Sequence, residues 1–156
     1  MSSTRLKEGD DAPNFSLQSQ TGEPWELKAA LERGPVLVYF YPKDETPVCT
    51  KQACGFRDAY EDFTKQGVEV VGISRDSAGA HQSFAEHHKL PFTLLSDPDG
   101  QVRGLFGVKK TLGLFDGRVS FLIDRHGKIR FLFASALNAN AHVRRALEAA
   151  AVLGRS

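Results

Sequence analysis

The chain has 156 residues, 41% of them hydrophobic, with 11 phenylalanines and a formal net charge of +1. This composition supports a domain with a hydrophobic core and excludes a disordered chain, and the balanced charge lacks the basic footprint of a nucleic-acid-binding protein. No apolar run approaches the ~20 residues of a membrane span, and the first residues, MSSTR, lead into polar sequence without a signal-peptide core. We therefore expect a cytoplasmic protein with a single domain over residues 1–156.

The predicted elements begin with a short β-hairpin. Extended stretches around residues 15–17 and 25–27 flank the turn residues TGEP at 21–24. The apolar run VLVYFY at 36–41 predicts a strand buried on both faces, which Pro42 ends. A helix over 50–66, closed by Gly67, and a second buried strand over 68–73 complete a β-α-β unit, for which a right-handed crossover is expected.

The second half of the chain predicts a β-β-α arrangement. A helix over 80–88 and a strand over 92–95 come first, followed by a turn at DPDG, 97–100, and a short helix that ends near Phe106. Strands over 119–123 and 129–133 flank DRHGK and form an antiparallel hairpin, and a helix over 140–153 ends the chain. This order predicts an α/β thioredoxin-like fold, with a mixed central sheet flanked by helices and an N-terminal β-hairpin.

The two cysteines, Cys49 and Cys54, take different positions on the helix predicted after Pro42. At ~100° per residue, Cys49 heads the apolar stripe, whereas Cys54 lies ~140° further round the helix. The stripe contains Ala53, Phe56, Tyr60 and Phe63. Five residues of ideal helix separate two Cα atoms by ~8.6 Å, whereas a disulfide needs less than ~7 Å. A bond between these cysteines would therefore require the first turns of the helix to unwind.

Position favours Cys49 as the reactive cysteine, because unpaired N–H groups and the dipole at a helix start stabilise a thiolate. The spacing alone is equally compatible with two inert, buried cysteines. The sequence predicts no metal site, since the cysteine and histidine spacings match no zinc motif. The histidines are expected on exposed helix or turn positions; they are His81, His87, His88, His126 and His142.

Flanking residues carry a resemblance to a known family. The segment FYPKDETPVCT, 40–50, holds Pro42, Thr46 and Cys49 in the spacing P-x3-T-x2-C and resembles the peroxiredoxin active site. The continuation KQACGFRD, 51–58, is similar to the bacterioferritin comigratory protein (PrxQ) branch, in which a resolving cysteine follows the peroxidatic one by five residues. LLSDPDG at 94–100 and RVSFLID at 118–124 are similar to the same branch, so that the resemblance covers roughly residues 9–133.

The resemblance implies a thiol peroxidase that reduces hydrogen peroxide and organic hydroperoxides. Cys49 would be the peroxidatic nucleophile and Cys54 the resolving thiol, joined after reaction in an intramolecular disulfide. Thioredoxin, or a glutaredoxin, would restore both thiols, and no metal, haem or flavin would be needed. The chain has no late cysteine of the kind that, in other peroxiredoxins, reacts with the oxidised cysteine of a second subunit. This favours a monomer, and a face-to-face dimer stays open.

Three further residues receive roles from the same resemblance. The Thr46 hydroxyl and the backbone N–H groups of Val48 and Cys49 would hold the peroxide, Arg118 would stabilise the thiolate and the developing charge, and Pro42 would shield the sulfur from water.

Two positions depart from the family pattern. Val48 stands where many relatives have glycine, which could change how readily the first turn unwinds, and Gln52 stands where many have an acid, which could change local hydrogen bonding. Arg57 is expected to be an exposed helix residue.

Two rival functions stay open. A thioredoxin-like thiol–disulfide oxidoreductase normally carries Cys-x-x-Cys and a late cis-proline, but this chain has Cys-x4-Cys and no proline after Pro98. A non-enzymatic interaction or chaperone domain could use the same fold, because fold alone does not decide function.

Overall fold

The computed structural model describes residues 6–108, 117–135 and 137–154. Seven strands form its centre: β1 Ser16–Ser19, β2 Pro24–Glu26, β3 Val36–Phe40, β4 Glu69–Ser74, β5 Thr93–Ser96, β6 Val119–Ile123 and β7 Ile129–Ala134. They make one mixed sheet in the order β2-β1-β5-β4-β3-β6-β7, with β3, β4 and β5 parallel and the outer pairs antiparallel. The predicted α/β sheet and the N-terminal hairpin are confirmed.

Helices cover both faces of this sheet. They are α1 Leu27–Leu31, α2 Pro47–Asp58, α3 Tyr60–Lys65, α4 Ala78–His88, α5 Gln101–Leu105 and α6 Ala139–Gly154. In the described part of the chain, none of them is long and apolar enough to cross a membrane. The sequence prediction missed α1, a helix of five residues that directly follows β2.

The single helix predicted over 50–66 is wrong at its start and in its middle. The helix begins at Pro47, because proline suits the first helical position, where its missing N–H costs no hydrogen bond. It is interrupted at Ala59, whose backbone angles of φ −95° and ψ 3° leave the α region, and α3 follows. Neither glycine nor proline marks this break in the sequence. Consequently Tyr60, predicted to face the core, is only half-buried.

Strand β3 lies at the middle of the molecule and separates two hydrophobic clusters. Its side chains alternate between them: Leu37 and Tyr39 join the cluster that includes residues of α2, α4 and α6, whereas Val38 and Phe40 join the opposite one. Gly72 of β4 leaves room for Tyr39, since a Cβ at this position would lie 2.8 Å from the phenol ring. These contacts fix the strand from which the active-site segment departs.

Two histidines that were predicted to be exposed are fully buried, so that expectation is wrong for His81 and His142. The His142 Nε2 lies 2.9 Å from the carbonyl oxygen of Ser135 and its Nδ1 lies 2.8 Å from Ser120 Oγ. Because a carbonyl can only accept, Nε2 carries the proton and Nδ1 accepts from the Ser120 hydroxyl. The sequence could not indicate this, since Ser120 comes from a strand 22 residues away.

We predict that His142 makes stability depend on pH. Burial lowers the pKa of His142 to about 4, whereas an unfolded histidine titrates near ~6.5. Between these values the unfolded chain binds the extra proton, so that the free energy of unfolding falls as the pH falls, by up to about 3 kcal/mol. Urea unfolding of the wild type at pH 7 and pH 5 measures this loss.

The matched variants are His142→Gln and His126→Gln, the second at an exposed turn position. The pH-dependent loss should shrink in His142→Gln and persist in His126→Gln. Equal pH dependence in all three proteins would contradict the assignment.

Candidate active site

Cys49 lies in the first turn of α2, as predicted, and is 1% exposed. The first backbone hydrogen bond across this turn runs from the Thr50 N–H to the Thr46 carbonyl, at 2.8 Å. The N–H groups of Val48 and Cys49 come before this bond, so that neither has an acceptor within the helix. The helix start therefore presents two backbone donors beside the sulfur, where they favour negative charge.

The guanidinium of Arg118 contacts the sulfur directly. Its Nη2 donates to Cys49 Sγ at 3.3 Å and its Nη1 donates to Gln52 Oε1 at 2.5 Å, and Arg118 is 5% exposed. The register of the sheet explains this placement. Phe40, the last residue of β3, pairs with Val119, the first residue of β6, so that Arg118 lies next to the residues that follow β3. A fixed positive charge next to a buried sulfur stabilises a thiolate more strongly than it would in water.

Gln52 belongs to this site, although the sequence marked it only as a departure from the family pattern. It is fully buried, its oxygen accepts from Arg118, and its Nε2 lacks a hydrogen-bond partner among the described residues. A neutral amide at this position orients Arg118 without neutralising its charge. The guanidinium therefore contacts both the neutral amide oxygen and the sulfur.

Arg103 was missed by the sequence analysis and holds together the two chain segments that form the site. Its Nη2 donates to the carbonyl oxygen of Tyr41 at 2.7 Å, directly before Pro42, and its Nη1 donates to the carbonyl oxygen of Gly117 at 2.7 Å, directly before Arg118. The residue is 3% exposed. Both acceptors are distant in sequence, so no local pattern could have identified the arginine.

The loop between β3 and α2 is anchored by a buried polar network. The Tyr41 hydroxyl contacts Asp44 Oδ1 at 2.5 Å, and His81 Nδ1 lies 2.7 Å from Asp44 Oδ2. His81 Nε2 lies 2.8 Å from the Leu95 carbonyl oxygen. Both ring nitrogens of His81 thus face acceptors, which requires a proton in the contact with Asp44. This network fixes the path of the loop that carries the site residues.

Pro42 and Thr46 lie on this loop and both are half-buried. The Thr46 hydroxyl donates to the Lys43 carbonyl oxygen at 2.8 Å and makes no capping bond to α2. Because its proton is used in this way, the oxygen keeps its lone pairs for an incoming donor.

Cys54 is separated from this arrangement. Both cysteines are free thiols, and Cys54 is partly exposed, whereas Cys49 is buried. They lie on one continuous helix, α2, so the estimate of ~8.6 Å between their Cα atoms applies to the folded protein. The prediction that the two cysteines differ in environment is confirmed.

Among the residues that the structure describes, two clusters have the side chains to hold a metal ion. Asp44, Asp76 and His81 form a buried one, but their ligand atoms already take part in the network that anchors the loop. Glu45, His87 and His88 form a second, more exposed one. Neither includes the sulfur of Cys49, whose surroundings suit nucleophilic attack on a group that leaves with negative charge.

Comparisons with known proteins show the family to which the chain belongs. Residues 8–132 match the AhpC/TSA family. The chain is 46% identical over 140 residues to the chloroplastic peroxiredoxin Q of Sedum lineare, covering 89% of this chain and 75% of that protein. It is equally identical to a chloroplastic peroxiredoxin Q of Oryza sativa subsp. japonica, of whose length it spans 64%.

Solved structures give the same relationship. The crystal structure of Peroxidoxin BcpB from Mycobacterium tuberculosis is 38% identical, covers 96% of this chain and 99% of its own, and superposes with a TM-score of 0.89. A peroxiredoxin Q structure from Xanthomonas campestris is 26% identical, covers 97% and 98% of the two chains, and has a TM-score of 0.85. The chain therefore belongs to the AhpC/TSA family of peroxiredoxins, in the peroxiredoxin Q (bacterioferritin comigratory protein) branch.

Proposed function

We propose that this protein is a thiol-dependent peroxidase with Cys49 as its nucleophile. The observation that carries the proposal is the contact at 3.3 Å between Arg118 Nη2 and Cys49 Sγ, buried at the start of α2. Related proteins support the activity: a structure of the Xanthomonas campestris bacterioferritin comigratory protein, 26% identical, is described in terms of its alkyl peroxide reduction activity.

The first step is attack of the Cys49 thiolate on one peroxide oxygen. A sulfur–oxygen bond forms and the O–O bond breaks, which leaves a sulfenic acid on Cys49 and releases water or an alcohol after proton uptake. Negative charge moves from the sulfur to the leaving oxygen along this line. Arg118 and the N–H groups of Val48 and Cys49 would stabilise that charge, since fixed donors need no reorganisation during the reaction.

Thr46 and Pro42 would orient and protect the reacting atoms. Because the Thr46 hydroxyl already donates to Lys43, its oxygen would accept the O–H of the peroxide, a proton that both hydrogen peroxide and organic hydroperoxides carry. Pro42, half-buried at the start of the loop, would limit the access of water to the sulfenic acid.

The second step is condensation with Cys54. Its thiol attacks the sulfenic sulfur, a disulfide forms, and water leaves. A separation of ~8.6 Å between Cα atoms exceeds the ~7 Å limit of a disulfide, so the first turns of α2 would unwind to bring the sulfurs together. A protein dithiol of the thioredoxin or glutaredoxin type would then reduce the disulfide by exchange. The cytoplasmic location and the monomeric state remain predictions from the sequence.

The decisive experiment is intact-mass analysis after one equivalent of hydrogen peroxide. We expect the wild type to lose two hydrogen atoms, because Cys49 and Cys54 form a disulfide. Cys54→Ser should instead gain an oxygen atom, because its sulfenic acid has no second thiol, and Cys49→Ser should keep its mass. An unchanged wild-type mass, or full peroxide consumption by Cys49→Ser, would refute the mechanism.

A second prediction concerns Arg118. In Arg118→Met the kcat/KM for hydrogen peroxide should fall by a factor of about 10²–10³, because the main fixed charge at the sulfur is lost. Arg125→Met, at an exposed turn position, serves as the control and should react like the wild type. Wild-type kcat/KM in an Arg118→Met protein that unfolds cooperatively would exclude this role for the arginine.

A further inference from the structure

One side chain of the active-site loop, outside the catalytic machinery, meets two histidines at the end of α4, and all three can bind a metal. Glu45 Oε2 lies 2.9 Å from His87 Nδ1, and Glu45 Oε1 lies 2.9 Å from His88 Nε2. One ligand atom from each of the three residues lies within 4.8 Å of the other two. The sequence predicted no metal site, since Glu45 is 42 residues from His87 and no zinc spacing links them.

The backbone holds these side chains in place from two directions. Glu45 adopts a left-handed conformation with φ 62°, which is uncommon for a residue other than glycine, asparagine or aspartate. His87 and His88 are the last residues of α4, which ends at Lys89 with φ 54°. Arg57 of α2 donates to the His88 carbonyl at 2.8 Å, and is thus partly buried rather than exposed as predicted. Its charge is shared with Asp58 at 3.0 Å.

The donor set matches the preferences of zinc-like ions. Imidazole nitrogen and carboxylate oxygen bind Zn²⁺ at ~2.0–2.2 Å in tetrahedral geometry, which places ligand atoms ~3.3 Å apart. The distances of 2.9 Å and the upper limit of 4.8 Å bracket this value. The side chains of His87 and Glu45 are 66% and 46% exposed, so a metal ion could enter from solvent and water could complete its shell.

We infer that Glu45, His87 and His88 form a binding site for a divalent transition-metal ion of the zinc type. The metal takes the place of the hydrogens between the histidines and the carboxylate, and each neutral imidazole then carries its proton on the ring nitrogen that does not bind the metal. The position of the site would allow it to regulate the reaction, because Glu45 directly precedes Thr46 and lies four residues before Cys49.

The effect of a bound metal ion on the reaction of Cys49 rests on the proposed function. A metal ion here ties the chain just before α2 to the end of α4 and restricts the states in which α2 is unwound. The Cys49 sulfenic acid would then live longer before Cys54 attacks it. A second molecule of hydrogen peroxide can oxidise it meanwhile to the sulfinic acid, with release of water.

The first test measures metal binding without the thiols. Calorimetric titration with Zn²⁺, and Co²⁺ absorption spectra, are recorded on the full chain carrying Cys49→Ser and Cys54→Ser. We expect saturable binding of one ion. In this background, His87→Ala and Glu45→Gln should each weaken it by at least ~10-fold, since loss of even an outer-shell partner costs that much. His126→Ala, outside the cluster, should bind like its parent.

Equal Zn²⁺ affinity in the parent and in His87→Ala, with both proteins folded by circular dichroism, would overturn the site.

The second test follows the conversion of sulfenic acid to disulfide in chains with both cysteines. Zn²⁺ should slow this conversion in the His126→Ala protein and not in the His87→Ala protein. Because both variants keep both cysteines, direct binding of Zn²⁺ to the thiols would affect them equally and cannot explain a difference. Binding without slowing would overturn the regulatory role. A failed peroxidase assay would leave the binding result unaffected.

Discussion

The buried guanidinium of Arg118 is the interaction on which the rest of the site depends. A charge out of contact with water is costly unless polar groups surround it, and here the Gln52 oxygen and the Cys49 sulfur receive its N–H groups. Since Gln52 is neutral, it fixes the direction of the guanidinium without neutralising it. The guanidinium also contacts the Cys49 sulfur directly, and an anionic sulfur would be the nucleophile in the proposed mechanism.

The fold positions this charge by means of backbone register and a second buried arginine. Pairing of Phe40 with Val119 brings the end of β3 next to the start of β6, and Arg103 bridges the two segments that leave these strands. The contacts of Asp44 with Tyr41 and His81 hold the loop that follows β3. The first turn of α2, by contrast, has no side-chain cap. The proposed mechanism would open this helix start beside the anchored loop.

The sequence predicted the features that depend on local residue patterns. It did not predict the buried contacts between residues that are distant in the chain. Apolar runs revealed β3 and β4, and the family resemblance singled out Cys49 and Arg118, which lie in contact in the structure. The roles of Arg103 and His81 were not predictable, because their partners Gly117 and Asp44 are far away in the chain. The break at Ala59 carries no helix-breaking residue, and the start at Pro47 was placed three residues too late.

In the proposed mechanism, oxidation opens the helix that holds Cys49. Hydrogen exchange measured by mass spectrometry on the reduced and the peroxide-oxidised protein tests it most directly. Amides of residues 50–54, beginning with the bond from the Thr50 N–H to the Thr46 carbonyl, should exchange at least about tenfold faster after oxidation, whereas those of β4 should not change. Identical exchange of residues 50–54 in the two forms, with the disulfide confirmed by mass, would contradict the account.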